Sequence, residues 1–253
     1  GSVANSIVGL AQLGNNVGFI GKVNNDEFGQ KYENGLINEK VKYLYEKKEE
    51  KIPTGSCLIL ITPDSERTMC TFLGTAGKIN DTDIKKEYIQ SAEIIFLEGY
   101  LWDEGDPKKA FDKAIMHSKK IAMSLSDLFC VNRHKPHFLE LVKNQLNIIF
   151  ANEQEILSLI DAKDFQEAVS FSKQIKKNIV ITRGERGAIS VNGDEIIEVN
   201  AQSDLNIKDL TGAGDLFAAG YLHGVINNLD TKECLIKGTE LSSKIIQKIG
   251  ARI

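Results

Sequence analysis

Asp209-Leu210-Thr211-Gly212-Ala213-Gly214-Asp215 sets two carboxylates around three small residues, and the apolar stretch Leu216 to Leu222 follows at once. The pattern reads as an anion cradle at the start of a buried helix. With no bulky side chains at Gly212, Ala213 and Gly214, their backbone N–H groups are unobstructed, and a helix start adds unpaired donors and the positive end of its dipole. Such a place suits a phosphate or a developing oxyanion. Asp215, immediately behind it, is positioned to take a proton from a hydroxyl that attacks that phosphate, so the chemistry indicated is phosphoryl transfer. An ordinary capped helix start, with Thr211 or Asp215 as the cap, is the competing reading. A dinucleotide loop fits poorly: after Gly212 and Gly214 the third glycine of G-x-G-x-x-G falls at Phe217. The sequence contains no G-x-x-x-x-G-K-[ST], which disfavours a P-loop NTPase.

The elements that must position these residues follow from composition and periodicity. With 253 residues, 42% apolar and 26% charged, the chain can bury one large core, and one main domain is expected. A net charge of −4 with dispersed basic residues offers no footprint for nucleic acid. No apolar run approaches the ~20 residues of a membrane span. Cys57, Cys70, Cys130 and Cys234 lack C-x-x-C spacing, so the default is a reducing, cytoplasmic setting without disulfides or zinc. The abrupt start at Gly1-Ser2-Val3-Ala4-Asn5, with no preceding strand, leads us to expect that an N-terminal portion is absent.

Short apolar segments, Val17 to Gly21, Ile94 to Glu98, Lys120 to Ser124, Leu146 to Ala151 and Asn178 to Thr182, read as strands covered on both faces. Amphipathic stretches near 4–13, 26–39, 107–118, 136–144, 152–159 and 163–175 alternate with them, and helices at about 213–227 and 231–248 close the chain. This is an α/β fold, a three-layer α/β/α sandwich with a mostly parallel sheet. Residues 41–80 break the rhythm. Cys57 to Thr62 and Thr68 to Leu73 are two strand-like runs joined through Pro63-Asp64-Ser65-Glu66, read as a small β lid or, alternatively, an edge hairpin. A second hairpin, around Asn192-Gly193-Asp194, carries a type I′ signal.

Taken together, the motifs resemble the PfkB or ribokinase-like family of small-molecule kinases, and more closely its adenosine-kinase-like branch, along essentially the whole chain. Asp209 to Asp215 matches the family's D-x-x-G-A-G-D in full, Gly1 to Asn5 looks like the end of G-G-S-x-x-N, and Gly21 to Gly29 resembles G-x-V-G-x-D-x-x-G. Asn24 departs from the usual glycine there; asparagine tolerates left-handed backbone angles, so the turn is expected to persist. Asn152-Glu153-Gln154-Glu155 resembles N-x-x-E, Thr182 to Ala188 resembles the nucleotide-binding turn, Ser126 to His134 is similar to bacterial members, and Ile249-Gly250-Ala251-Arg252 resembles the family's ending without naming a chemistry.

The resemblance implies a ribokinase-like domain spanning 1–253, with the lid excursion at about 41–80, that uses ATP and Mg²⁺. Asp215 would be the base, with the Gly212, Ala213 and Gly214 amides holding developing charge. Glu155 would order the water shell of Mg²⁺. Asn152, Thr182 and Gly184 would serve the nucleotide, while a capped helix remains the plain reading of Asn152 and Glu155. Asp209 would help bind a monovalent cation such as K⁺. Arg67, with Thr54 to Cys57, resembles the lid of adenosine kinases, and is otherwise a surface charge. Tyr100 and Leu73 would line a base pocket, unless Tyr100 is core filler. Ser2 and Asn5 would face the ribose. The acceptor implied is the 5′-hydroxyl of adenosine, with ribose, fructose or a related sugar as the alternative, and a catalytically silent nucleoside or sugar sensor as the reading from another class. Monomer and homodimer both stay open.

Overall fold

The computed structural model describes residues 1–64, 67–102 and 105–253. Ser65 and Glu66 of the expected lid turn lie outside the described residues.

A six-stranded sheet runs in the order β10-β9-β8-β7-β6-β5. Its strands are β5 (Ile95–Glu98), β6 (Ile121–Ser124), β7 (Ile148–Asn152), β8 (Asn178–Thr182), β9 (Ala188–Asn192) and β10 (Glu195–Val199). The pairs β5–β6, β6–β7 and β7–β8 are parallel, and β8–β9 and β9–β10 are antiparallel. Because side chains alternate across a strand, a strand apolar at every position feeds two cores. On β7, Ile149 and Ala151 join one hydrophobic cluster, with Ile156, Phe138 and Leu141, while Ile148 and Phe150 join the other, with Leu216, Phe217 and Tyr221. The helices divide accordingly. α3 (Lys86–Ser91), α4 (Asp106–His117), α5 (Leu128–Asn144), α6 (Glu153–Leu159) and α7 (Phe165–Ile175) cover one face, and α1 (Ser2–Gln12), α8 (Ala213–Ile226) and α9 (Thr231–Ile245) the other. The expected three-layer sandwich is present.

Three details differ from the expectations. The segment at 17–21 does not enter the main sheet: β1 is only Gly18–Phe19 and pairs in parallel with β2 (Lys42–Tyr43) as a separate ribbon. In the β9–β10 hairpin Glu195 pairs with Asn192, and of the two loop residues only Gly193 has a positive φ, whereas type I′ requires two. Asn24 needs no left-handed backbone. It is buried, and its side chain donates to the Glu50 and Ile52 carbonyls, both at 3.1 Å, and accepts from the Asn25 and Glu50 amides at 2.7 and 2.9 Å. An asparagine there is a four-way clasp on the approach to the lid.

The lid itself is the antiparallel pair β3 (Thr54–Ile61) and β4 (Arg67–Gly74). Its root is fastened by Asp26, the N-cap of α2 (Glu27–Asn38), which accepts from the Thr54 amide at 2.8 Å and the Thr54 hydroxyl at 2.7 Å. These bonds to Thr54 hold the Asp26 carboxyl below the usual carboxylate range.

Candidate active site

The parallel strands end on Glu98, Ser124, Asn152 and Thr182, in a register that pairs Glu98 with Ser124 and Asn152 with Thr182. The carboxyl ends of such strands are where an open α/β sheet offers a crevice. Helix α8 starts beside this row. Gly212 is its N-cap with φ 83°, and a Cβ there would come within 2.9 Å of the Ala251 Cα, so both the angle and the space require glycine. A Cβ on Gly214 would meet no atom within 4 Å, which leaves the cradle open at that residue. The Ala213 amide reaches back to the Leu210 carbonyl at 3.3 Å, so Gly214 and Asp215 supply the first-turn amides that have no helical acceptor. The Thr211 hydroxyl is buried and helps to lower the Asp209 carboxyl, although it makes no hydrogen bond of full geometry among the described residues.

Asp209 secures the cradle from behind. One carboxyl oxygen accepts from the Thr211 amide and the other from the Gly250 amide, each at 2.8 Å. Burial pushes its carboxyl up, but the bonds from Thr211 and Gly250 outweigh this and hold it below the ordinary range. Asp215 goes the other way. Burial pushes its carboxyl up to about 6, aided by the negative charge of Glu98 and opposed by the Asn5 hydrogen bond and the positive field of Arg67. The Asn5 side-chain amide donates to Asp215 Oδ2 at 2.8 Å. A carboxylate poised near the working pH is suited to general-base catalysis.

Glu98 was missed from the sequence. It accepts from the Ser2 hydroxyl at 2.5 Å and the Val3 amide at 3.2 Å, which brings the start of α1 to the end of β5. A charged residue that ends an apolar strand and precedes a glycine was the available signal. Tyr100 stands next to this group. Its hydroxyl donates to the Ser126 carbonyl at 3.2 Å while the residue as a whole stays exposed. Burial, then the charges of Asp127, Asp215 and Glu98, raise its phenol above the ordinary value.

Strand alternation puts Arg67, Met69, Thr71 and Leu73 on one face of the lid, with Ile59 paired to Met69. The positive charge of Arg67 lowers the carboxyls of both Asp209 and Asp215. Leu73 lines a cavity of about 290 Å³ with Gly77, Lys78, Leu101, Gly105, Asp106 and Pro107.

Asn152 and Glu155 form a second cluster. The Asn152 side chain accepts from the Glu155 amide at 2.8 Å, and its own backbone and side-chain N–H groups donate to Glu155 at 2.9 and 2.7 Å. This capping box orders the start of α6. Burial pushes Glu155 up to about 7, against the Asn152 amide and with the Asp127 charge. Asp127, whose charge reaches both Glu155 and Tyr100, lies between the two clusters. Thr182 ends β8 beside Asn152, and Gly184 opens a turn with φ 58°. Among the described residues no hydrogen bond or ion pair joins Thr182 or Gly184 to Asp215. Nor do they include a group of three or more His, Cys, Asp or Glu side chains able to hold a metal.

An open helix start with a buried carboxylate in its first turn, on a three-layer sandwich with a lid, suits phosphoryl transfer to an alcohol. The chain belongs to the pfkB family of carbohydrate kinases, whose model matches residues 1–253. It is similar to the adenosine kinase of Sinorhizobium meliloti, with TM-score 0.96 and 33% identity over 100% of this chain and 79% of that one. A probable sugar kinase of Rhizobium etli CFN 42 superposes with TM-score 0.94 and 34% identity, over 99% of this chain and 78% of that one. An uncharacterized sugar kinase of Archaeoglobus fulgidus is 26% identical over 246 residues, 97% of each chain. Membership of this kinase family implies the use of ATP and Mg²⁺. No described helix is long and apolar enough to cross a membrane.

Proposed function

We propose that the protein transfers the γ-phosphoryl group of ATP to a primary hydroxyl, most simply the 5′-hydroxyl of adenosine. The observation that carries this is Asp215, a carboxylate pushed up to about 6 directly behind amides left open at Gly214. Asp215 takes the proton of the attacking hydroxyl, whose oxygen forms the new bond to the γ-phosphorus. The bond from that phosphorus to the bridging oxygen breaks, and ADP leaves with the electron pair. The cradle amides and Arg67 stabilise charge on the transferring group. Mg²⁺, when bound, supplies charge neutralisation for the phosphates, and Glu155, half charged near neutrality, would hold its water shell. Asn152, Thr182 and Gly184 would serve the nucleotide, and Asp209 a monovalent cation such as K⁺.

For the acceptor, the cavity at Leu73 and Leu101 and the exposed ring of Tyr100 favour a purine over a bare sugar, while Ser2, Asn5 and Glu98 offer a polar end for ribose hydroxyls. The same polar end would suffice for ribose or fructose, and the likeness to a sugar kinase supports that second reading. We read the chain as a single-domain, cytoplasmic enzyme acting as a monomer or homodimer. The test is ADP release with ATP and Mg²⁺ against adenosine, other nucleosides, ribose and fructose in parallel. Turnover with adenosine far above the sugars supports the base pocket. A sugar preference removes that pocket but keeps Asp215, and silence on all acceptors would favour a sensor.

A further inference from the structure

The segment after α9 crosses the start of α8: the Gly250 amide binds Asp209 at 2.8 Å, Ala251 packs against Gly212, and the Arg252 Nε donates to the Asn5 Oδ1 at 3.3 Å. The other end of that same amide, Asn5 Nδ2, is the group that donates to Asp215 at 2.8 Å. We propose that Arg252 is a positioning residue for phosphoryl transfer, holding the Asn5 amide in the one orientation that presents its NH₂ to the Asp215 carboxylate.

The argument is one of donors and acceptors. The two ends of an asparagine amide exchange places by a half-turn about χ2, and a guanidinium can only donate. With Arg252 present, a turned amide would set NH₂ against guanidinium and carbonyl oxygen against Asp215. An ionised Asp215 would resist that turn alone. Once Asp215 has taken the acceptor's proton it no longer does, and a turned Asn5 could accept that proton's hydrogen bond and stabilise the acid. Arg252 penalises this state, so Asn5 stays a donor through both protonation states of the base. Arg252 is partly buried, and its charge is also felt by the Tyr32 phenol of α2.

This rests on Asp215 being the base, around which the charged and titratable groups among the described residues are Glu98 at the end of β5, Tyr100 just past it, Arg67 on β4 and, through Asn5, Arg252 itself. The test compares Arg252→Met, Arg252→Lys, Asn5→Ser, Asn5→Ser with Arg252→Met, and Asp215→Asn, with ATP, Mg²⁺ and the acceptor that turns over. We expect Arg252→Met to lower kcat about tenfold with little change in KM for ATP, and to move the acid limb of the kcat profile to higher pH. Lysine should recover part of the loss, and in the Asn5→Ser background the arginine change should add nothing. Unchanged kcat and limb in Arg252→Met, or an equal loss in the Asn5→Ser background, would overturn the proposal. Turnover retained by Asp215→Asn would instead remove the base reading itself. A substrate-free readout is the side-chain NH₂ resonance pair of Asn5, identified by its loss in Asn5→Ser. Its shift should follow a carboxyl titration between about pH 5 and 7, and Arg252→Met should raise the midpoint; an unmoved midpoint counts against the proposal.

Discussion

The cradle at the start of α8 and the β3–β4 lid are built by opposite means. Around the cradle the two carboxylates are held by hydrogen bonds, Asp209 from the Thr211 and Gly250 amides and Asp215 from Asn5, and α8 is buried from Leu216 to Leu222. On the lid most residues of both strands are exposed, including Leu58, Leu60, Met69, Phe72 and Leu73, and the firm attachments lie at the root, in Asn24, Asp26 and Thr54. The difference separates two jobs. On the proposed reading, the groups that must not move, Asp215 and the amides, are set in a close-packed core, where reorganisation is costly. On the same reading, the groups that would admit and then cover a substrate ride on an exposed hairpin that would lose little packing on opening.

The sharpest way to break this division is at the base. Asp215→Asn should lose roughly 10²–10⁴ in kcat while still binding ATP, as measured by turnover and by nucleotide titration. Normal turnover would end its assignment. Arg67→Ala should lower kcat on the order of 10–100-fold with an unchanged melting temperature, because an exposed hairpin residue supports charge at the cradle and not the fold. A large drop in stability instead would mean that the lid is part of the core. Trimming Leu73 or Tyr100 to alanine should raise KM for adenosine about tenfold and leave a sugar's KM unchanged, readable from paired saturation curves.

The smallest effect is on stability, and its sign is opposite to that of activity. Asp215 and Glu155 are pushed up to about 6 and about 7, so the folded state holds their protons more tightly than the unfolded chain. Stability from these two groups is fully present below the unfolded carboxylate range and is lost as the pH rises through 6 to 7. Activity needs Asp215 ionised and should rise across the lower part of that window. Asp215→Asn should therefore melt higher than the parent at pH 8, by an amount that shrinks toward about pH 4. A parent that melts higher than Asp215→Asn at pH 8 would contradict the burial argument. Asp209 and Asp26, held low, contribute stability that is lost only in stronger acid.

The layered fold was legible because β7 and β8 are apolar through their middles, Ile148 to Ala151 and Ile179 to Ile181, while the stretches between them are amphipathic, a signal that depends on composition and period alone. That the small residues Gly212 to Gly214 open a buried helix was legible from the apolar run behind them, whereas an ordinary helix start would have read the same way. Glu98 was not legible, since one carboxylate among apolar neighbours does not say that it will meet Ser2 and Val3, 96 and 95 residues away in sequence. The work of Asn24 was also hidden: its backbone preference suggested a turn, whereas its side chain clasps the lid's approach. The two-residue β1 was over-read, because its apolar run resembles the central strands but its partner is the ribbon strand β2.

Asn5 and Asp215 are separated by 210 residues, and Asn5 and Arg252 by 247. During synthesis at ~5–20 residues per second, Asn5 leaves the ribosome roughly ten seconds or more before its carboxylate partner exists. On the proposed reading, catalytic competence thus waits on contacts between residues far apart along the chain. In refolding, recovery of turnover should lag behind recovery of helical signal, making the enzyme's own reaction a reporter of long-range closure.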